Sequence, residues 1–399
     1  MGRLDASHFR YLSREELRVM TGVEMGMKNH EWVPLQLITV LSAIRPGYVA
    51  RVVQELLKAK LIRHTGGRAE GYQLTDTGLD YLALNVFVKR GLIAAIGRRI
   101  GVGKEAEIFI AQDPEGNEFV LKFHRLGRTS FKKSVKTNRD YMDGRTGHAS
   151  WIYLSKLAAL KEFAYMTALH ERGIPVPTPI GYSRHCVAMS LVKGLPLNVI
   201  KPGGLIDPKD VCNQIYGLMA DLASIGLIHG DFNEFNTMVV RERIGDNGEV
   251  DAPPTLTAAE QEEEEERQAE AKKLNKVAGI DLTHEEGEWG RVKMSPGDGG
   301  EYRDRVVLID FPQIVSTDHC CAKSYYTRDT TCVRVFFRRK FNMDFPAPDF
   351  TTMLALAKAS MEDGVDVGET LSAEQCDAVA SAVREEVGMD NEGEAEGEG

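Results

Sequence analysis

Four chemically distinct positions occur in this chain in an order that leaves few folds open. A lysine, Lys122, sits inside the short apolar strand pattern Phe119-Val120-Leu121-Lys122-Phe123. A long helical pattern follows. Then comes His229-Gly230-Asp231-Phe232-Asn233-Glu234-Phe235-Asn236, directly after an apolar-periodic run from Ile215 to Ile228. Last, the buried-strand run Val306-Val307-Leu308-Ile309 ends in Asp310. The spacing predicts a carboxylate able to orient a hydroxyl (Asp231), an amide five residues on that can ligate a metal (Asn236), and a second acidic ligand on a strand end (Asp310). Lysine, aspartate, asparagine and aspartate in that order are the parts from which kinase-fold phosphoryl transfer is built.

The bulk properties fit such a reading and narrow it. The chain has 399 residues, enough for two or three domains, and an apolar fraction of 43% that suits globular cores. No apolar run is long enough to span a bilayer, so no membrane partner is expected. The start, Met1-Gly2-Arg3-Leu4-Asp5, lacks the apolar segment of a secretory signal. Ala6 also departs from the myristoylation pattern. The cysteines (Cys186, Cys212, Cys320, Cys321, Cys332, Cys376) form no C-x-x-C pair and are read as reduced thiols of an intracellular protein. A net charge of -10 hides an asymmetry: residues 1–100 carry fifteen Lys/Arg and nine Asp/Glu, whereas residues 360–399 carry thirteen Asp/Glu and one Arg. A basic front suits a nucleic-acid partner, and the acidic end a solvated tail.

Residues 1–90 are expected to form a compact unit. Ser13 with Glu16 has capping-box spacing at the start of a helix. A second short helix is expected over Val33 to Ala43 and a third from Pro46 to Lys60. In the third, Val49, Val52, Val53, Leu56 and Leu57 share one face. Leu61 to His64 and Gly71 to Leu74, separated by turn residues, predict a hairpin. Thr75 caps a last helix, expected over Asp76 to Leu84. Helices followed by a strand-turn-strand wing describe a winged helix. The helix before the wing, with Arg51, Lys58 and Lys60, is the candidate for a nucleic-acid groove. Residues 91–190 alternate strands with turns and then give one helix, Ser150 to Glu171. Residues 191–240 and 306–345 are expected to be mainly helical. Between them, about 243–304, lies an acidic insertion with Glu262 to Glu266 and few large apolar residues. It is expected to be a coreless loop with one solvated helix near 257–276. Residues 346–399 are expected to be an acidic tail with a short helix over 372–386.

Ile100-Gly101-Val102-Gly103-Lys104 is expected to be a glycine turn whose amides approach phosphate oxygens. Lys122 needs a carboxylate to fix its ammonium, and Glu162, with Met166 and Leu169 at helical spacing, is the candidate. His229 is read as a structural histidine and Asp231 as the better base. Asn236 and Asp310 form the metal pair, with oxygen ligands that suit Mg²⁺. The run from His124 and Arg125 through Arg128, Lys132 and Lys133 to Arg139 is basic. It is read either as a contact to nucleotide or RNA phosphates or as a solvated loop.

These segments resemble the RIO kinases, an atypical protein kinase family, and within it the subfamily with an N-terminal winged helix. The resemblance is carried by Gly101-Val102-Gly103-Lys104-Glu105, by Leu121 to Phe131, by Lys161 to Met166, by His229 to Asn236 and by Ile309-Asp310-Phe311-Pro312-Gln313. It spans roughly residues 1–345. It implies an α+β chain: a winged helix over 1–90, then a bilobal kinase-like domain over 91–345, with its N-lobe over 91–190 and its C-lobe over 191–345. It implies ATP and Mg²⁺ as cofactors, Asp231 as catalytic aspartate, and Lys122 as the ATP lysine. It further implies Met189 at the adenine pocket, with Ser190 to Val192 as the hinge, and Asp310 as a metal ligand that transiently carries phosphate. The implied role is late maturation of the small ribosomal subunit precursor, in contact with its rRNA, its proteins and other assembly factors. The implied location is the cytoplasm, with passage through the nucleus. A small-molecule phosphotransferase of the aminoglycoside kinase kind also uses H-G-D and a later aspartate, but the winged helix and D-F-P-Q argue against it. An idle RNA-binding scaffold would have lost one of Lys122, Asp231, Asn236 or Asp310, and all four are present.

Overall fold

In the computed structural model, the structure describes residues 8–66, 70–103, 105–126, 151–244 and 301–355. The chain divides into two compact units, residues 1–164 with 179–191, and residues 165–178 with 192–399.

The first unit opens with helix α1, Arg14–Gly26. Ser13 accepts from the Glu16 backbone N–H while the Glu16 carboxylate accepts from the Ser13 N–H, so both arms of the capping box form. Helices α2 (Leu35–Ser42) and α3 (Pro46–Lys58) follow, with Pro46 at the first turn of α3. Val49, Val52, Val53 and Leu56 form the buried stripe of α3. Strands β1 (Ile62–Thr65) and β2 (Gly71–Leu74) pair antiparallel with Ile62 opposite Leu74, as the hairpin pattern predicts. The side chain of Thr75 then caps helix α4. That helix runs Asp76–Lys89, past the expected end at Leu84. The extension is stabilised by Phe87, fully buried in a core that the local sequence does not announce.

That core belongs partly to a five-stranded antiparallel sheet. Its strands are β3 (Ala95–Val102), β4 (Ala106–Gln112), β5 (Glu118–His124), β6 (Pro179–Ser183) and β7 (Cys186–Ser190), in the order β3-β4-β5-β7-β6. Helix α5, Trp151–Glu171, begins in this unit. One apolar cluster runs from Val19 and Leu56 through Phe87 and Ile93 to Phe109, Leu121, Phe123 and Ala188. The winged helix and the sheet therefore share a core, instead of each closing its own. Glu24 of α1 reinforces the join, with Lys156 of α5 at 2.7 Å and Arg184 at 2.8 Å.

The second unit holds β8 (Leu195–Pro196), α6 (Pro208–Ser224), β9 (Leu227–Ile228), β10 (Thr237–Ile244), β11 (Glu301–Leu308), β12 (Val315–Ser316) and α7 (Ala322–Phe341). The expectation of mainly helical segments at 191–240 and 306–345 is corrected here. Strands β10 and β11 form a long antiparallel pair, from Thr237 opposite Leu308 to Ile244 opposite Glu301. Residues 243–244 and 301–304, assigned by composition to the coreless insertion, are thus paired strand. They read as loop because they are polar, yet Asp304 is buried and its carboxylate is bound by Arg241 on the neighbouring strand at 2.8 Å and 3.0 Å. The remainder of the insertion, including 257–276, and the tail helix at 372–386 lie outside the described residues. Among the described residues no helix is long and apolar enough to cross a membrane. The described cysteines are free thiols.

Candidate active site

On β5, side chains two residues apart share a face. Lys122 and His124 are such a pair, and both meet Glu162 of α5. Lys122 Nζ donates to Glu162 Oε1 at 2.6 Å, and His124 Nε2 lies 2.6 Å from Glu162 Oε2. Lys122, His124 and Glu162 are all buried, with Glu162 only 1% exposed. The expected lysine–glutamate pair therefore forms, and His124 joins it. The glycine turn links β3 to β4 through Gly103 N–H to Ala106 O at 2.8 Å. A Cβ built at Gly101 or Gly103 would meet only neighbours at 3.4 Å or beyond. The protein's own packing would therefore admit a Cβ at either position, and Gly101 stands at a register shift between β3 and β4. Lys104 lies outside the described residues. Met189 and Ser190 stand on β7, opposite Val120 and Phe119 of β5, with Met189 buried.

The basic stretch after Lys122 needs correction. Arg125 is 5% exposed and reaches no solvent anion. It donates to Asp80 of α4 at 2.6 Å and 2.7 Å and to Glu107 of β4 at 3.1 Å. His185 Nε2 also lies 2.7 Å from Asp80. Burial works against the Arg125 charge, but Asp80 and Glu107 outweigh it and hold the guanidinium more basic than usual. His124 is likewise inside, on Glu162. Neither residue is a phosphate contact or part of a solvated loop. Residues 127–139, with Arg128, Lys132 and Lys133, lie outside the described residues.

The second unit holds the other group. The loop after β9 is built by its own amides. Asn233 Nδ2 donates to Asp231 Oδ1 at 3.2 Å, and Asn236 Nδ2 donates to Asp231 Oδ2 at 3.1 Å. Asn233 Oδ1 in turn accepts from the backbone of Phe235 and Asn236, an Asx turn that sets the loop. Gly230 has φ +74°, and a Cβ there would lie 2.6 Å from Gln313 O, so glycine is required. The ring of His229 is buried against Phe232 and Phe311, at centroid distances of 5.3 Å and 6.1 Å. The strand end joins the loop through Ile309 N–H to Asn236 O at 3.0 Å. Asp310 follows with φ +71°, a left-handed conformation that costs a non-glycine residue about 1 kcal/mol. Val192 begins a turn closed by Gly194 N–H at 2.9 Å.

Burial raises the Asp231 carboxyl above its usual range, and the charge of Asp310 adds to the rise, against Arg328, Asn236 and Asn233. Two carboxylates that repel one another in this way, with an amide beside them, suit a hard divalent cation, whose charge would relieve the repulsion. With Asn236 Nδ2 committed to Asp231, its Oδ1 is the atom left to face such an ion. The donor set thus fits Mg²⁺ at Asn236 and Asp310.

The sequence reading missed Asp329. It lies on α7, 3% exposed, and accepts from the Gly230 backbone N–H at 2.9 Å. Burial pushes its carboxyl up to about 7, while the N–H groups of Phe232 and Gly230 pull the other way. It anchors the aspartate loop from a distant helix, and no local pattern announces it. His124 was missed too, although its spacing of two from a strand lysine was a usable signal.

The chain's similarities agree with this geometry. The RIO domain family matches residues 107–246 and 301–350, and the Rio2 N-terminal family matches residues 9–90. A serine/threonine-protein kinase rio2 of Dictyostelium discoideum is 43% identical over 340 residues, 85% of this chain and 53% of its own length. The serine/threonine-protein kinase rio2 of Schizosaccharomyces pombe is 37% identical over 92% of this chain and 87% of its own length. The chain spans about half the length of the first of these relatives. A crystal structure of a Rio2 kinase–ADP/Mg²⁺–phosphoaspartate complex from Chaetomium thermophilum is 33% identical, with a TM-score of 0.67 over 97% of this chain and 100% of that one. The two family matches, one on the winged helix and one on the kinase-like region, and the 37% identical relative covered over 87% of its length place this chain in the Rio2 family of RIO kinases.

Proposed function

We propose that the chain is an ATP- and Mg²⁺-dependent atypical serine/threonine kinase or ATPase that acts on the small ribosomal subunit precursor late in its maturation. The observation that carries the chemical part is the buried Lys122–Glu162 pair. A lysine held at 2.6 Å by a carboxylate has its ammonium fixed in place before nucleotide arrives, as a contact to the α and β phosphates requires. Met189 and Ser190 to Val192 take the adenine side, and the Gly101–Gly103 turn covers the phosphates. Mg²⁺ at Asn236 and Asp310 would neutralise charge on the β and γ oxygens.

Asp231 orients the attacking hydroxyl and accepts its proton. Asn233 and Asn236 hold its two carboxylate oxygens in place for that task. In the ATPase output, an Asp310 carboxylate oxygen attacks the γ-phosphorus as the β–γ bridging bond breaks and ADP leaves. Water then attacks the phosphorus of the acyl phosphate, the bond from phosphorus to the Asp310 oxygen breaks, and inorganic phosphate leaves with the carboxylate restored. The phosphoaspartate named in the Chaetomium thermophilum complex supports this reading. Exposed Arg51, Lys58 and Lys60 on and just after α3 support contact with rRNA.

Single-turnover reactions with γ-labelled ATP test it. Label should appear on the protein and then in solution, and Asp310→Ala should abolish the protein-bound phase. Lys122→Ala, Asp231→Ala and Asp310→Ala should each slow turnover about 10²-fold or more. Near wild-type turnover by Asp231→Ala and Asp310→Ala would overturn the assignment.

A further inference from the structure

The two carboxylate oxygens of Glu162 have different partners. Oε1 accepts from Lys122, and Oε2 lies 2.6 Å from His124 Nε2. A carboxylate only accepts, so His124 Nε2 carries the proton of that bond whether the ring is neutral or cationic. The terminal torsion of a glutamate is broad and two-fold, and one bond leaves the carboxylate plane free to turn. A second charge-assisted bond on the other oxygen removes that freedom.

His124 is itself well held. It is 2% exposed, and its backbone N–H donates to His185 O at 2.8 Å. The next residue, Arg125, points the other way and is clamped by Asp80 and Glu107. Leu126 N–H then donates to Ser155 Oγ of α5, the helix that carries Glu162. The end of β5 is thus fastened on both sides around His124, which is what a residue setting another's orientation requires.

We propose that His124 is a positioning residue for the nucleotide lysine: it fixes the Glu162 carboxylate so that Oε1 faces Lys122 Nζ. The inference rests on the ATP-binding reading above, and its test carries one readout independent of ATP. Two variants of the full chain separate the roles. His124→Phe keeps a ring of similar size and removes the donor, and His124→Gln keeps an N–H donor.

ATP affinity, measured by displacement of a fluorescent nucleotide, should fall about tenfold in His124→Phe and by less than about threefold in His124→Gln, the range expected for a lost charge-assisted bond. In a Glu162→Gln background His124→Phe should cost little more, because no carboxylate remains to be oriented. Labelling of Lys122 by an amine-reactive reagent, followed by peptide mass, should speed up in His124→Phe alone. Unchanged affinity and labelling in His124→Phe would overturn the proposal, and so would an equal loss added on top of Glu162→Gln. If His124→Phe shows no cooperative melting, His124→Asn replaces it: its donor is too short to reach Oε2, and equal behaviour of Asn and Gln variants would overturn the role. If the wild type binds no ATP but Lys122 labelling still responds to His124→Phe, the functional reading falls and the positioning role stands.

Discussion

Replacing Arg125 by methionine tests the buried charge cluster that ties α4 to the sheet. Methionine keeps an unbranched stem and removes the guanidinium. That group has Asp80 oxygens at 2.6 Å and 2.7 Å and Glu107 Oε2 at 3.1 Å. Asp80 and Glu107 are 2% and 6% exposed, so their carboxylates would stay buried after losing the guanidinium, with His185 still beside Asp80 and Arg99 at 3.5 Å from Glu107. Breaking a buried pair from one side costs about 3–5 kcal/mol. At about 2–4 °C per kcal/mol for a unit of this size, the melting temperature should drop roughly 6–20 °C.

Part of that loss should return in acid. His185 Nε2 lies 2.7 Å from Asp80, and in the wild type its pKa is held below 6.5, chiefly by burial, with Arg125 and His124 pushing the same way and Asp80 opposing. Without Arg125 one downward push is gone and Asp80 is unneutralised, so the His185 pKa rises. The folded variant therefore keeps its His185 proton to higher pH than the folded wild type does, and the variant's deficit grows as pH rises through the interval between those two folded values. The variant's deficit should therefore be larger at pH 8 than at pH 6. Urea unfolding followed by tryptophan fluorescence at the two pH values measures both quantities. A deficit under about 1 kcal/mol at pH 8, or one that is equal at the two pH values, would refute the reasoning.

Three further outcomes are expected. The Asp329 carboxyl, raised to about 7, gives stability that is complete below 3.8 and lost as pH rises through 7. Asp329→Asn mimics the protonated form, so it should match the wild type in acid and exceed its stability above pH 7 by on the order of a few kcal/mol, read from denaturation between pH 4 and 9. Because Ile244 lies directly opposite Glu301, replacing residues 245–300 by a short Gly/Ser turn should close the β10–β11 hairpin with a stability change of about 1 kcal/mol or less; a large fall in melting temperature would contradict it. Reversing Arg51, Lys58 and Lys60 to Glu should weaken co-sedimentation with small-subunit precursors and flatten its salt dependence by about one unit of slope for each phosphate that is no longer neutralised. Equal binding at every salt concentration would mean that this face does not meet RNA.

Much of the fold was legible locally. The Ser13–Glu16 box, the β1–β2 hairpin, the Thr75 cap and the strand around Lys122 all follow from rules acting over a few residues, and the structure reproduces each of them. Lys122, Asp231, Asn236 and Asp310 were picked out from short motifs taken in chain order and Glu162 from its helical spacing with Met166 and Leu169, whereas the Lys122–Glu162 contact itself spans 40 residues. What tertiary structure alone decided is which polar residues go inside. Arg125, read as a phosphate contact or part of a solvated loop, and Asp304, read as part of a coreless loop, are both buried, because Asp80 lies 45 residues from the first and Arg241 63 residues from the second. Asp329 anchors Gly230 across 99 residues. Phe87 extends α4 because the sheet supplies its pocket. Caps and periodicity are set by the residue's own neighbours along the chain. The burial of a charge depends on a partner that only the folded chain brings within hydrogen-bond reach, and no window of sequence contains both.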